Sequence, residues 1–276
     1  MGRGAVRAMF GRRADGIEVA DLSTTQRFLP FLSPGRNDSL VYYSTEIEID
    51  TALRFIDEQN ANRPPDRRIT LFHLYLRSVS IAFHERPGVN RFVSGGRVYQ
   101  RNGVWITFSA KQELIDGAPV LTVKRAFEHG EGLLEMVDAL RDELLERRRG
   151  KQSTADKEVN LLLRLPVPFV RIGLRMLRLA DRLGLLTRGM TEDDPMFTSV
   201  FVANLGSVGL DAGYHHLWEY GTCSIFATLG RVRERGDGTR VVEVKYSYDE
   251  RVADGLYAAI TMAGIKERLE DPARLL

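Results

Sequence analysis

Chemistry in this chain gathers first around Tyr248-Asp249-Glu250-Arg251-Val252-Ala253-Asp254-Gly255, near the C-terminus. A glutamate set among other charged groups can act as a general base when its surroundings raise its basicity. A carboxylate of this type has an ordinary pKa of about 4.3, whereas an imidazole, at about 6.5, is better matched to neutral pH. The histidines are therefore the competing bases. His215-His216 lie in a loop ahead of a strand expected over 222–233. Neighbours on an extended segment point apart, so at most one of the two is expected to face a ligand channel. His73 falls inside an apolar helical stretch, as a satisfied core histidine does. His84 and His129 fall near element ends, where imidazoles are commonly solvated.

Other reactive residue types carry less. Cys223 sits in the apolar run Cys223-Ser224-Ile225-Phe226-Ala227 and reads as a buried structural thiol rather than a nucleophile. As the single cysteine it excludes an intrachain disulfide and fits a reducing, cytoplasmic location. No histidines, cysteines or carboxylates have metal-ligand spacing, so no metal is expected. Gly206-Ser207-Val208-Gly209 is not a phosphate loop, because no lysine follows where one is needed. With 39 basic against 37 acidic residues the net charge is +2, which gives no argument for nucleic acid as a partner.

The elements that must position these residues follow from periodicity. At 276 residues, 43% hydrophobic and 28% charged, the chain can bury a sizeable core. Leu40, Tyr42, Ser44, Glu46 and Glu48 alternate with Val41, Tyr43, Thr45, Ile47 and Ile49, which predicts a strand with one covered face. Asp50 is expected to cap a helix to about residue 60. A mostly apolar helix follows over 69–84, stopped by Pro87-Gly88. Gly95-Gly96 and Asn102-Gly103 are expected hairpin turns. Strands near 104–110 and 119–125 precede an amphipathic helix over 131–147. Strands at about 197–204, 222–233 and 240–248, the turn Asp237-Gly238 and a helix over 252–269 complete the chain. Without strict β-α-β alternation this predicts a mixed α+β sheet domain.

Two segments stand apart. Residues 1–19 are arginine-rich and are expected to form a flexible basic arm. Residues 159–186 are dense in leucine, broken once by Pro166-Val167-Pro168, and then carry Arg171, Arg175, Arg178 and Arg182 on one helical face. Two readings stay open. The leucines could pack on the domain while the arginines are solvated, or the helix could dock on a protein partner, an acidic ligand or an anionic membrane surface.

Several stretches, taken in order, resemble one family. They are Leu22-Ser23 with Arg27, Ser44-Thr45-Glu46-Ile47-Glu48-Ile49, Pro87-Gly88-Val89-Asn90, Asn204-Leu205-Gly206, Asp249-x-Arg251-Val252-x-Asp254-Gly255, and Leu269-Glu270-Asp271-Pro272 with Leu275-Leu276. Together they resemble the catalytic cores of the dihydrolipoamide acyltransferases of 2-oxo acid dehydrogenase complexes, which share the chloramphenicol acetyltransferase fold. The resemblance spans about 20–276, apart from an inserted helical segment at about 150–190.

The resemblance implies a homotrimer, in some members a cage of trimers, with the active site between subunits. Coenzyme A and a lipoyl-lysine arm enter such a site from opposite ends. A histidine takes the thiol proton and a hydroxyl steadies the oxyanion. Residue by residue, the histidine's place holds Glu250, the hydroxyl's place holds Ala203, and Asp254 matches. Asp249 and Arg251 match a structural ion pair, Asp254-Gly255 the turn into the last helix, and Asn204 and Gly206 the loop after the hydroxyl position. No lipoyl domain is read ahead of the core. The expectation is an acyltransferase-fold protein with lost or altered thioester transfer and a role in assembly. It requires no cofactor, and coenzyme A or an acyl thioester is the implied ligand. The alternative is an active coenzyme A-dependent acyltransferase that uses Glu250, or one of His215 and His216, as base on a different acceptor.

Overall fold

Alternating and apolar runs build two sheets in the computed structural model, which describes residues 13–111, 120–148 and 161–276. In chain order the elements are β1 (Gly16–Glu18), α1 (Thr24–Leu32), β2 (Leu40–Glu48), α2 (Asp50–Asn60), α3 (Leu71–Glu85), β3 (Arg91–Ser94), β4 (Arg97–Arg101), β5 (Val104–Lys111), β6 (Val120–Phe127), α4 (Leu133–Arg148), α5 (Val167–Arg182), α6 (Arg188–Asp193), β7 (Val200–Asn204), β8 (Ile225–Glu234), β9 (Arg240–Asp249) and α7 (Gly255–Glu270). The large sheet has the order β2-β9-β8-β7-β5-β6 and the small one β1-β4-β3. All pairs are antiparallel except those of β7, which runs parallel to both β5 and β8.

The two faces of the large sheet differ. Ile47, Val244, Ala227, Val202, Ile106 and Val123 project to one side and pack with α3, α4 and α7 into the main core. The opposite face carries a smaller cluster of Phe201, Leu217, Cys223 and Phe226, with Ala203 and Trp218 against it. The alternation read in β2 holds: Ile47 and Ile49 are fully buried, while Glu46 and Glu48 meet Arg235 at 2.6 and 2.9 Å.

Several expectations change. Asp50 is the first residue of α2 rather than its cap. Its carboxylate accepts from Arg240 Nε at 2.6 Å, and that hydrogen bond holds it below the usual aspartate range. Gly95-Gly96 does join a hairpin, β3 to β4. Asn102-Gly103 does not: it carries the chain from the small sheet into the large one, with Gly103 at φ +72°. A turn signal reports local backbone, and which sheet receives the next strand is decided by packing. Of the arm expected over 1–19, residues 13–19 pack on the domain rather than hang free. β1 pairs with β4, and Arg13 bridges Asp15 and Asp181 at 2.8 and 2.7 Å while lying over the Phe92 ring. Residues 1–12 lie outside the described residues, as do 149–160 of the inserted segment.

Candidate functional site

The end of β9 is pinned from below. Asp249 and Arg251 form a buried ion pair, with Arg251 Nη2 to Asp249 Oδ2 at 2.7 Å and Nε to Oδ1 at 2.8 Å. Arg251 Nη1 also donates to the Ser33 and Pro34 carbonyls at 2.8 and 3.0 Å, tying this turn to the end of α1. Asp254 caps α7, its Oδ1 accepting from Tyr257 N at 2.9 Å, and Gly255 begins that helix. Between the two anchors Glu250 is held only through its backbone, whose N–H donates to Ser39 O at 3.0 Å. Its side chain is exposed, and it forms no hydrogen bond or ion pair among the described residues.

Ala203 lies on β7 between Ser109 of β5 and Thr228 of β8, partly buried against the aromatic cluster. Asn204 and Gly206, which follow it, have structural reasons to be there. Asn204 Oδ1 accepts from Ser207 N at 3.2 Å and caps a short helical turn. A Cβ on Gly206 would sit 2.4 Å from the carbonyl oxygen of Gly230, so this turn approaches strand β8 only because that atom is missing.

The loop between β7 and β8 covers this cluster. Asn37 Nδ2 donates to Leu217 O at 2.7 Å, and Glu219 accepts from the Arg36 and Asn37 amides at 3.1 and 2.9 Å. Those amides hold the Glu219 carboxyl below its usual range despite its burial. The loop thereby seats His215 flat on Phe226, with ring centroids 4.0 Å apart. The two histidines do not point apart: their rings stack at 4.5 Å, in a stretch that belongs to no helix or strand. His215 Nδ1 lies 2.6 Å from the His216 carbonyl. A carbonyl only accepts, so Nδ1 carries the proton and Nε2 presents the lone pair. Burial lowers the pKa of His215, which favours that neutral form. Cys223 is buried as expected, with its thiol pushed up by desolvation.

The strand register measures how far apart these positions are. Ala203 pairs with Thr228, which pairs with Lys245, and Glu250 lies five residues beyond Lys245. Five residues along a strand and two strands across place Glu250 and Ala203 of one chain roughly 20 Å apart. They cannot serve one reacting centre within a protomer; a shared site takes them from two copies. His215, by contrast, lies over the same cluster as Ala203.

One group escaped the sequence reading. Lys124, on β6, lines a cleft of about 330 Å³ with Asp15, His84, Arg101 and Glu192. Burial pushes its pKa down to about 7. Its ammonium lies 4.9 Å from the Trp105 ring and donates to the carbonyls of Thr191 and Asp194 at 2.6 and 3.1 Å, which fastens α6 to the sheet. A lone lysine in an alternating strand carries no signal of this in sequence. His73, read as a core histidine, instead joins the cap of α3, its Nδ1 accepting from Thr70 N at 3.1 Å. Arg171, Arg175, Arg178 and Arg182 of α5 are exposed, and none of them forms an ion pair among the described residues. Among the described residues no group of three or more potential ligands could hold a metal ion, and no helix is long and apolar enough to cross a membrane.

No protein-family model and no curated protein sequence matches this chain. Solved structures do. A probable dihydrolipoamide acetyltransferase from Listeria monocytogenes 4b F2365 is similar at 14% identity and a TM-score of 0.61, over 93% of this chain and 95% of that one. The cubic core of the pyruvate dehydrogenase multienzyme complex is similar at 14% identity and a TM-score of 0.58, over 94% of each. A chloramphenicol acetyltransferase is similar at 14% identity and a TM-score of 0.53, over 92% of this chain and 97% of that one. The chain has the acyltransferase catalytic-core fold, with its mixed sheet and flanking helices.

Proposed function

We propose that this protein is an oligomeric scaffold on the acyltransferase fold in which acyl transfer from coenzyme A to dihydrolipoamide has been lost. The observation that carries this reading is the pairing of Glu250 with Ala203 at the two positions where the family motif places its base and its hydroxyl. A glutamate carboxylate ordinarily lies about four pKa units below a thiol, so proton transfer from thiol to carboxylate starts about 6 kcal/mol uphill. Ala203 offers no hydrogen bond to an oxyanion, a loss that typically lowers the rate roughly a hundred- to a thousand-fold. The motif residues that remain, Asp249, Arg251, Asp254, Asn204 and Gly206, all have folding roles and need no reaction to explain them.

Likeness to the cubic core supports assembly into a homotrimer or a larger cage of trimers. The free buried thiol of Cys223 suits a reducing cytoplasm, where we place the protein. The test is to incubate the purified full-length chain with acetyl-CoA and dihydrolipoamide. No transfer above the uncatalysed background is expected, and turnover at ordinary enzymatic rates would sink the proposal.

A second reading, active transfer from coenzyme A or an acyl thioester to a different acceptor, is favoured by the tautomer of His215. Its Nε2 lone pair makes it a more suitable base than Glu250. A screen of amine and hydroxyl acceptors with acetyl-CoA separates the two readings. Activity abolished by His215→Gln but kept in Glu250→Gln would establish this second reading and assign the base.

A further inference from the structure

We propose that α5 lies in the plane of an anionic membrane surface and docks the protein there. The inference is independent of whether the fold transfers acyl groups. α5 rests on the protein along one flank only. Val170, Gly173, Leu174, Leu177 and Ala180 are half-buried against the body, and no residue of the helix is fully buried. Its C-terminal end is bolted down. Asp181 Oδ1 accepts from Arg13 Nη2 at 2.7 Å, and Asp181 Oδ2 accepts from Ser94 Oγ at 3.0 Å. The rotation of the helix about its own axis is therefore set.

That rotation leaves an apolar stripe uncovered. Phe169, Ile172, Met176, Leu179 and Leu183 follow one another at spacings of three and four, and they are 60, 55, 60, 48 and 40% exposed. Leu165 and Leu185 extend the stripe beyond both ends of the helix. Along the helix, the reading in which the leucines pack on the domain therefore holds for Leu174 and Leu177 and fails for Leu179 and Leu183. Beside the stripe run Arg171, Arg175, Arg178 and Arg182. The helix has one acid, Asp181, and Arg13 already holds it. Phe31 of α1, also exposed, packs near Gly96 at the β3–β4 hairpin tip, while Arg182 O packs near Gly95. The exposed Phe31 ring thus lies at the same hairpin tip as the C-terminal end of α5.

Charge decides between the occupants that could cover an apolar stripe. A second copy would have to bring acids into register with four arginines, and the acids on the exposed face of β2 are already paired with Arg233 and Arg235. An anionic bilayer supplies phosphates at any spacing, directly beside an acyl boundary that accepts side chains without shape matching. A helix of 16 residues carrying four arginines is too short and too polar to span, and lies flat instead.

The test is co-sedimentation of the full-length protein with vesicles of phosphatidylcholine alone or mixed with phosphatidylglycerol. Binding is expected to the mixed vesicles only, and to weaken with added salt. Each basic side chain near an anionic surface contributes a factor of about five to partitioning, so Arg171→Glu with Arg175→Glu should weaken binding by more than about tenfold. Ile172→Ser with Met176→Ser should do the same, with circular dichroism unchanged because both positions are exposed. In Phe169→Trp, added fluorescence over the parent protein should shift to the blue with mixed vesicles. Absence of binding to anionic vesicles, or binding indifferent to both double variants, overturns the proposal. So does a fall in particle mass on Ile172→Ser with Met176→Ser without vesicle binding, which would assign the stripe to a second copy.

Discussion

Arg251 directs its guanidinium at one carboxylate and two carbonyls, and the carboxylate of Asp249 is buried with it. Removing one partner of such a pair strands an uncompensated charge. Asp249→Asn is expected to destabilise the protein by about 3–5 kcal/mol, read from chemical denaturation. Glu250 is one residue away, and its exposed side chain forms no hydrogen bond or ion pair among the described residues. Glu250→Gln should change stability by no more than about 0.5 kcal/mol. This contrast separates the two roles the motif combines, holding the turn and presenting a group to a ligand. A comparably large loss on Glu250→Gln would mean that residue 250 is structural as well.

Caps and close approaches set the elements. The start of α3 depends on an unprotonated His73 Nδ1, because that atom accepts from the Thr70 amide. Burial pushes the pKa of His73 down to about 4, against about 6.5 in the unfolded chain. The unfolded state therefore binds the extra proton first. The contribution is fully present above pH ~6.5 and is lost as pH falls from there toward about 4, for a total of about 1–3 kcal/mol. Denaturation midpoints across this range should fall with pH, and His73→Gln, which can still cap, should flatten the slope. His215, also lowered by burial, adds to the same fall but would not respond to that substitution. At the other end of the sheet, Gly206→Ala drives a methyl against Gly230 O, and overpacking of this kind costs about 1–3 kcal/mol. A neutral outcome would show that the turn after β7 can move away from strand β8.

Across the whole molecule, the roughly 20 Å between Glu250 and Ala203 makes any shared site a property of an assembly. Three chains of 31.2 kDa give a particle of about 94 kDa, and sedimentation is expected to find that mass or a multiple of it. A monomer at micromolar concentration would remove both the scaffold reading and any site built from two copies. If α5 lies on a membrane, the assembly meets the bilayer through a surface remote in sequence from Glu250, so vesicle binding and acyl chemistry can be measured independently.

Much of this was written locally. Period-two alternation announced β2, an apolar run announced α3, and Asp249 to Gly255 together with Asn204 and Gly206 announced the fold, because strand pleat, helix face and tight turns are set by near neighbours. Glu250 and Ala203, which stand at the motif positions the proposed function rests on, were legible for the same reason. What only the tertiary structure decided depends on contacts across tens of residues. The Asn102-Gly103 turn changes sheets, His215 stacks on both His216 and Phe226, Lys124 is desolvated under α6, and residues 16–18 form a strand rather than part of a loose arm. The apolar stripe of α5 belongs with these. Its residues were visible, but whether the domain covered them was settled by Arg13, Ser94 and Asp181, drawn together from distant parts of the chain to fix which face of the helix looks inward.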